Sequence, residues 1–238
     1  MNTILFDLDG TLLPMDQEHF VNLYFKALAS HLAPSGIPIQ NLMDAVNGGM
    51  NAMIQNDGDK TNEERFWDAF SSVLGNDIRK MEPDFMNFYE TSFHQAKEST
   101  CVSPYAKDAI SLLKQKGYHI VLATNPVFPP IATHGRIRWA GLDPADFERI
   151  TTYDNSSYCK PNLAYYREIL TVIGKRPDEC MMVGNDVEED MVAGNLGLST
   201  FLITDCMINR KNLSFDKIRH GDFKAFYDFV AQLPDAEE

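Results

Sequence analysis

Apolar and polar positions alternate in blocks along this chain of 238 residues, and the spacing within each block indicates one kind of element. A short apolar run at residues 3–6 stops abruptly at Asp7, as a buried parallel strand does before its loop. Similar runs at 118–123, 180–183 and 200–203 predict further strands. Apolar residues at helical spacing predict helices before and between these strands, at 104–116, 165–173 and 191–196. Strands that alternate with helices predict an α/β fold with a doubly wound parallel sheet.

Residues 14–99 have a different pattern, because apolar residues recur there at helical spacing without a run of strand character. Asp16 is the expected N-cap of the first helix, and Thr61 with Glu64 forms the expected capping box of another. The aromatic residues at 66, 67, 70, 85, 88 and 93 are expected to be mainly core, and the Asn-Gly-Gly sequence at 47–49 is expected to be a loop facing the active site. The sequence therefore predicts an all-helical domain at 14–99, inserted into a core made of residues 1–13 and 100–238.

Charge and composition exclude several classes of protein. The chain has 21 Lys+Arg against 34 Asp+Glu, a formal net charge of −13, which argues against broad contact with nucleic acid because phosphate-backbone binding needs a concentrated cationic face. No apolar run approaches the roughly 18 residues of a membrane span, and the N-terminus lacks the basic start of a signal peptide. We therefore expect a cytoplasmic protein without nucleic-acid or membrane partners.

Polar segments follow the predicted strands or precede a helix at the same edge of the sheet. They are DLDGT at 7–11, TNP at 124–126, KP at 160–161 and GNDVEED at 184–190. In open parallel sheets the ligand binds beyond the carboxyl ends of the strands. The sequence therefore predicts that these segments meet in one site.

The carboxylates of Asp7, Asp9, Asp186 and Asp190 would repel one another in such a site, since two charges ~4 Å apart cost on the order of 4 kcal/mol at an effective dielectric constant of about 20. A cation is therefore expected among them. Mg²⁺ suits this place because it accepts a few carboxylates, keeps waters and bridges to a phosphate oxygen. Asp186 is expected to take the metal and Asp190 to orient Lys160 or the metal waters. With Lys160 as a further positive charge, the field favours a dianionic phosphate and predicts phosphoryl transfer.

The position of each side chain suggests its role in that transfer. Asp7, at the tip of the first strand, is the predicted nucleophile, because an aspartate can accept a phosphoryl group as an acyl phosphate. Asp9 is predicted to protonate the leaving oxygen and then to activate water. Gly10 lets the loop turn tightly. The Thr124 hydroxyl and the Asn125 backbone amide are predicted to bind the phosphate oxygens.

The segments DLDGTLL, TN, CKPN and GNDVEED, in this order, resemble the four signature motifs of the haloacid dehalogenase superfamily, whose members are mostly Mg²⁺-dependent phosphatases. The resemblance covers about residues 1–13 and 100–205. It implies a Rossmann-like core. In that family a helical insertion between the first and second motifs is the C1 cap, which closes over the site and selects the substrate.

Carried to the matching positions, the resemblance implies a phosphoaspartyl intermediate on Asp7 and acid–base work by Asp9. It implies that the metal is held by the Asp7 side chain, the Asp9 carbonyl and Asp186, and that Thr124 and Lys160 bind phosphate. The residues expected to support these groups are Gly10, Thr11 and Asp190.

One position departs from the family pattern. Many relatives carry an acidic residue directly after the glycine of the fourth motif, where this chain has Asn185. Among the residues of this motif, Asp186 is therefore expected to bind the metal, with Asp190 in support. Whether Asn185, Glu188 or Glu189 also assists in binding the metal stays open. We expect the two glutamates to lie in a solvated first helical turn and the basic stretch at 134–138 to be a solvated helix face.

Alternative functions follow from the same motifs. A phosphomutase of the same fold would return the phosphoryl group to its substrate, and the motifs do not separate it from a phosphatase. A receiver-type signalling protein also phosphorylates an aspartate beside Mg²⁺ and a lysine, but receivers are about half as long and have no inserted cap. We therefore predict a phosphatase that hydrolyses a small phosphorylated metabolite. Its natural substrate and its oligomeric state are not fixed by the sequence.

Overall fold

A parallel sheet forms the centre of the computed structural model, which describes residues 1–236 and leaves Glu237 and Glu238 of the acidic tail outside. Its strands are β1 (Thr3–Phe6), β2 (His119–Leu122), β3 (Arg149–Ile150), β4 (Cys180–Gly184), β5 (Ser199–Ile203) and β6 (Arg219–Gly221). They pair in the order β3-β2-β1-β4-β5-β6, every pair parallel. The predicted α/β fold with a Rossmann-like parallel sheet is confirmed.

Helices follow or precede most of these strands. The α-helices are α1 (Gln17–Leu32), α2 (Ile39–Ile54), α3 (Asn62–Leu74), α4 (Glu82–Glu90), α5 (Pro104–Gln115), α6 (Pro130–Trp139), α7 (Leu163–Ile173) and α8 (Phe223–Gln232). Shorter 3₁₀ helices include Ser92–Ser99 and Met191–Leu196. None of the helices within residues 1–236 combines the length and the apolar character that a membrane crossing needs.

Alternate residues of the central strands are buried against helices on opposite faces of the sheet. Leu5 of β1 belongs to an apolar cluster with Tyr165 and Ile169 of α7. Phe6, the next residue, packs on the other face, where its ring lies 5.6 Å from that of Phe226 in α8. This burial on both faces explains why β1 is buried throughout and apolar at Ile4, Leu5 and Phe6, and it fixes the strand tip that Asp7 follows.

The inserted segment between β1 and α5 is helical, and its predicted start signals are present. The Asp16 carboxylate accepts a hydrogen bond from the His19 amide at 2.9 Å, and the capping box of Thr61 and Glu64 is formed. The two chain segments that enter and leave the insertion run side by side, with backbone hydrogen bonds of 3.0 Å from Asp16 to Ser99 and 2.9 Å from Cys101 to Pro14. Buried apolar packing is continuous between insertion and core. The division into domains at residues 13 and 100 stays a prediction.

The prediction of a loop at residues 47–49 is wrong, because these residues lie inside α2. A Cβ atom on Gly49 would lie 2.4 Å from the ring of Phe66 in α3. The glycine therefore allows α2 and α3 to pack closely, and it does not face the active site as a loop.

Three elements of the core were not predicted from the sequence. Strand β3 has only two residues, and β6 is an exposed edge strand, so neither shows the buried apolar run by which the other strands were found. Helix α8 has a regular apolar stripe, with Phe223, Phe226 and Val230 buried. This stripe is a signal that helical periodicity in the sequence contains.

Asn62, at the start of α3, joins the helical insertion to the core. Its side chain is buried, and its Nδ2 atom donates to the Pro126 carbonyl at 3.1 Å and to the Tyr158 carbonyl at 3.3 Å. Its Oδ1 atom accepts from the Asn56 amide at 2.9 Å. These contacts hold the insertion against the loop that leads to Lys160.

We expect Asn62→Leu to lower the free energy of unfolding by about 2–4 kcal/mol, because it leaves the Pro126 carbonyl without its partner and removes one of the two acceptors of the buried Asn56 amide, whose other acceptor is the Lys60 carbonyl. Denaturant-induced unfolding measures the change. Asn87→Leu is the matched control, since Asn87 is exposed on α4 and should tolerate the same substitution. Similar losses in the two variants would contradict a specific role for Asn62.

Candidate active site

The carboxyl ends of β1, β2 and β4 open into one polar cleft of about 210 Å³. Because β1 lies between β2 and β4, the segments that follow these strands are neighbours in space. The cleft is lined by most of the polar side chains that the sequence singled out, namely Asp7, Asp9, Thr124, Asn125, Asp186 and Asp190.

Lys160 connects two of these carboxylates, although it is not itself among the residues that line the cleft. Its ammonium group lies 2.9 Å from Asp7 Oδ1 and 2.6 Å from Asp190 Oδ1, and its side chain is only 1% exposed. The Asp190 carboxylate also accepts a hydrogen bond from the Asp186 amide at 2.9 Å. Hence Lys160 and Asp190 form a buried support that fixes the orientation of Asp7.

Burial and the neighbouring charges shift the pKa values of Asp190 and Lys160 in opposite directions. Burial raises the pKa of Asp190 to about 7, although the nearby Lys160 lowers it. For Lys160, burial lowers the pKa, but the carboxylates of Asp190 and Asp7 outweigh burial and raise it well above its usual range. The lysine therefore stays cationic in the pH range in which proteins work, and it supplies a fixed positive charge beside Asp7.

The other oxygen of Asp7 is held by the turn that follows β1. The Thr11 hydroxyl lies 3.2 Å from Asp7 Oδ2 and 3.0 Å from Asn185 Oδ1. Gly10 has a φ of +87°, and a Cβ atom there would lie 2.3 Å from the Asn185 amide nitrogen. Only glycine fits this turn without displacing Asn185, so the first and fourth polar segments interlock through Gly10, Thr11 and Asn185.

Asp9 is paired with an arginine that was expected, from the sequence, to lie on a solvated helix face. Arg136 of α6 contacts Asp9 Oδ2 through Nη1, and its residue surface is 0% exposed. The prediction of a solvated helix face at this position is therefore wrong. Burial raises the pKa of Asp9, and the Arg136 guanidinium counteracts part of this rise.

A signal for Arg136 was present in the sequence. Ala132 and Ala140 lie four residues before and after it, and Thr133 and Ile137 are the neighbours on the same buried side of α6. An arginine in phase with small and apolar residues on a helix indicates a buried charge that needs a partner.

Asp186 is held by backbone amides and by a second arginine. Its Oδ1 atom accepts from the Glu188 and Glu189 amides at 2.8 and 3.0 Å, and its Oδ2 atom lies 2.7 Å from Nη1 of Arg210. Arg210 follows Ile208, whose backbone exchanges hydrogen bonds with residues 185 and 187. The sequence carries no local signal for the role of Arg210, because only the tertiary pairing of these loops brings it to the cleft.

Thr124 and Asn125 lie at the end of β2, as predicted. The Thr124 carbonyl accepts from the Thr151 hydroxyl at 2.6 Å and from the Tyr165 hydroxyl at 2.8 Å, which fixes the backbone while its side chain lines the cleft. The Asn125 side chain accepts from the Lys160 amide at 3.2 Å. These contacts link the second and third polar segments.

The prediction of a solvated helical turn for Glu188 and Glu189 is wrong. Both residues lie in a turn and are partly buried. Glu188 pairs with Lys211 at 2.9 Å, whereas Glu189 lines the cleft and accepts from the Asn125 amide at 3.3 Å. Burial raises the pKa of Glu189. Of the two, only Glu189 adds a carboxyl group to the cleft.

The haloacid dehalogenase-like hydrolases, as a sequence family, match residues 1–196 of the chain. The chain belongs to this family. It is 25% identical over 206 residues to a glyceraldehyde 3-phosphate phosphatase of Methanothermobacter thermautotrophicus, which covers 85% of each chain. It is 22% identical over 202 residues to the pyrophosphatase PpaX of Bacillus pumilus, covering 84% of this chain and 82% of that one. These relatives and the family match show that the chain is a hydrolase of phosphate esters.

Solved structures share the fold of this family member over nearly its whole length. A HAD phosphatase from Thermococcus onnurineus superposes with a TM-score of 0.58 and 17% identity over 99% of this chain and 100% of that chain. A 2-haloacid dehalogenase from Pseudomonas syringae reaches 0.64 with 16% identity over 98% and 99% of the two chains. The helical insertion is thus consistent with the cap of the family.

The donor atoms in the cleft fit a hard divalent cation. Within residues 1–236 no group of three or more His, Cys, Asp or Glu side chains has the spacing of a ready-made metal site. The predicted ligands are different in kind, because they combine the carboxylates of Asp7 and Asp186 with a backbone carbonyl. Both carboxylates line the same cleft, and oxygen donors of this type are those that Mg²⁺ prefers. Arg210 pairs with Asp186 Oδ2 in this structure, so a metal ion bound by that carboxylate would replace or share this contact.

The cap aromatics are mainly core, as predicted. Trp67, Phe70, Phe85, Phe88 and Phe93 are buried. A small apolar cavity of about 50 Å³ remains where the insertion meets residues 127–129 of the core. Its lining includes Tyr24, Phe66, Trp67, Phe85 and Phe128.

Proposed function

We propose that this protein is a Mg²⁺-dependent phosphatase that hydrolyses a small phosphate monoester through a phosphoaspartyl intermediate on Asp7. The observation that carries the proposal is the fixed orientation of Asp7. Lys160 holds one of its oxygens at 2.9 Å, Thr11 holds the other at 3.2 Å, and Asp9 lines the same cleft. A carboxylate fixed in this way is prepared to attack a phosphorus atom.

The reaction divides into two displacements at phosphorus. In the first, an Asp7 oxygen forms a bond to phosphorus while the ester oxygen leaves and takes a proton from Asp9. In the second, Asp9 removes a proton from water, which attacks the phosphoryl group and releases free phosphate and the Asp7 carboxylate. Burial supports the first role of Asp9, because it raises the pKa of this carboxyl and favours its protonated form.

Fixed charges and donors in the cleft would stabilise the transferring group. Lys160 is cationic beside Asp7, and the Thr124 side chain lines the cleft together with Asn125. A Mg²⁺ ion held by the Asp7 carboxylate, the Asp9 carbonyl and the Asp186 carboxylate would neutralise part of the phosphate charge when bound. Arg210 is exposed and lines the cleft, where it pairs with Asp186 and adds a further positive charge.

The relatives indicate the size of the substrate. The similar proteins from Methanothermobacter and Bacillus are named for glyceraldehyde 3-phosphate and pyrophosphate, both small and highly charged. A cleft of about 210 Å³ fits molecules of this size. We therefore propose a small phosphorylated metabolite as the substrate. A cytoplasmic location, expected from the sequence, stays a prediction.

A panel of small phosphorylated metabolites, incubated with the protein and Mg²⁺, tests the proposed function. Free phosphate and the dephosphorylated product should accumulate in equal amounts. A phosphomutase would instead return the phosphoryl group to its substrate, so a rearranged phosphate ester without free phosphate would contradict hydrolysis.

Removal of the metal should inactivate the enzyme. We expect a chelator to lower the rate of phosphate release by at least about a hundredfold, because the metal contributes several kcal/mol of charge stabilisation to the transition state. Added Mg²⁺ in excess of the chelator should restore the rate, and a thermal unfolding curve shows whether the chelator leaves the fold intact. A rate that is indifferent to chelation would contradict the metal assignment.

A further inference from the structure

Arg136 is fixed against Asp9 from several sides. Its guanidinium contacts Asp9 Oδ2 and lies 4.3 Å from the centre of the Phe128 ring. Its Nη2 atom is 3.4 Å from the Thr133 hydroxyl, and its Nε atom is 3.4 Å from the Ala132 carbonyl. The planar group is therefore held by an ion pair, an aromatic face and two weak hydrogen bonds, and it has little freedom to move.

The two oxygens of Asp9 differ because of this contact. Oδ2 is taken by Arg136, whereas Oδ1 is buried and has no hydrogen-bond partner within residues 1–236. A buried oxygen without a partner is unfavourable, and the leaving oxygen of a bound ester or the attacking water would satisfy it. Oδ1 is thus the atom of Asp9 that remains free to exchange a proton with a substrate.

We propose that Arg136 is a positioning residue for Asp9, which holds Oδ2 so that Oδ1 serves the leaving group and then the attacking water. The proposal rests on the proposed function, since it assumes that Asp9 transfers protons. A buried arginine used only for packing would bring a large desolvation cost that an apolar side chain of the same volume avoids. The proposal predicts instead that Arg136 acts through Asp9 and through no other part of the reaction.

The test compares two esters that differ in how much help the leaving group needs. p-Nitrophenyl phosphate has a good leaving group, whereas the alkyl phosphate turned over fastest in the metabolite panel has a poor one. Loss of proton transfer should therefore slow the alkyl ester much more than the aryl ester. A change in packing alone would slow both esters alike.

We expect Asp9→Asn to lower kcat for the alkyl ester by about 10²–10⁴-fold. Arg136→Met should lower the same kcat by about 10–100-fold and that for the aryl ester by less than about threefold, since Asp9 is present but no longer held. The double variant should be within about twofold of Asp9→Asn alone, because a positioning residue has nothing left to position.

Arg136→Lys and Arg138→Met complete the set. The lysine variant keeps the positive charge on a smaller head group. It should therefore retain part of the activity toward the alkyl ester, even if the methionine variant folds poorly. Arg138 is exposed two residues further along α6, and its substitution should change neither ester.

Two kinds of outcome distinguish a failure of the proposed function from a failure of the positioning role. If the wild-type protein releases no phosphate from either ester with Mg²⁺, the proposed function and this inference both fail. The positioning role alone is overturned if the wild-type protein is active but Arg136→Met or Arg136→Lys slows both esters equally. It is also overturned if the double variant is slower than Asp9→Asn alone by the full factor that Arg136→Met loses.

Discussion

Asp7→Asn should lower the rate of phosphate release by at least ~10⁴-fold, because the neutral amide cannot form the acyl phosphate. Asp7 is buried at the tip of β1, where Lys160 and Thr11 already hold its oxygens, so the asparagine would occupy the same place without the nucleophilic charge. Steady-state phosphate release measures the rate. Mass spectrometry after a brief reaction with substrate should show one added phosphoryl group in the wild-type protein and none in the variant.

Asp16→Asn is the matched control for this experiment. Asp16 is exposed, caps α1 and makes the same change from acid to amide, and asparagine caps helices as well as aspartate does. Its activity should equal that of the wild-type protein. If Asp7→Asn kept more than a few per cent of the activity, Asp7 would not be the nucleophile and the phosphoaspartyl mechanism would have to be abandoned.

Lys160→Met should have two large effects at once. It removes the positive charge that lies 2.9 Å from Asp7 and 2.6 Å from Asp190, so two buried carboxylates lose their counter-ion. Breaking a buried ion pair in this way costs about 3–5 kcal/mol of folding stability, and the loss of the charge that we propose to bind phosphate should slow turnover by at least ~10³-fold. Denaturant unfolding and phosphate release measure the two effects separately.

A double variant distinguishes stability from function at Lys160. Lys160→Met with Asp190→Leu removes one of the two carboxylates that lose their counter-ion, so it should recover part of the lost stability. It should not recover turnover, because the positive charge beside Asp7 is still missing. Lys211→Met, at an exposed lysine paired with Glu188, is the control and should change neither quantity appreciably. Recovered turnover in the double variant would show that Lys160 serves only the fold.

Asp7, Asp9, Gly10 and Thr11 could be found from sequence because their signal is local. An apolar run that ends in two carboxylates and a glycine indicates a strand tip with a tight turn, whatever the rest of the chain does. The same holds for Thr124 after β2 and for Asp186 after β4. The rule that ligands bind beyond the ends of parallel strands then brought distant segments to one place.

Arg136, Arg210 and Glu189 were misjudged or missed because their role depends on contacts between distant segments. Charged residues near polar stretches are usually solvated, and this expectation fails when a helix turns one of them inward or when two loops pair. Arg136 is buried by the packing of α6, and Arg210 reaches Asp186 because Ile208 pairs with residues 185 and 187.

The sequence by itself determined the parallel α/β core, the helical insertion and the identity of the acidic and basic groups at the ends of the strands, because each depends on short-range periodicity and on residue type. The sequence offered Lys160 as one possible partner of Asp190, and the structure selects it. Only the tertiary structure decided that Lys160 also pairs with Asp7, Arg136 with Asp9, and Arg210 with Asp186. The physical reason is that charge pairing depends on distances of a few ångströms between residues far apart in the chain, and packing alone sets those distances.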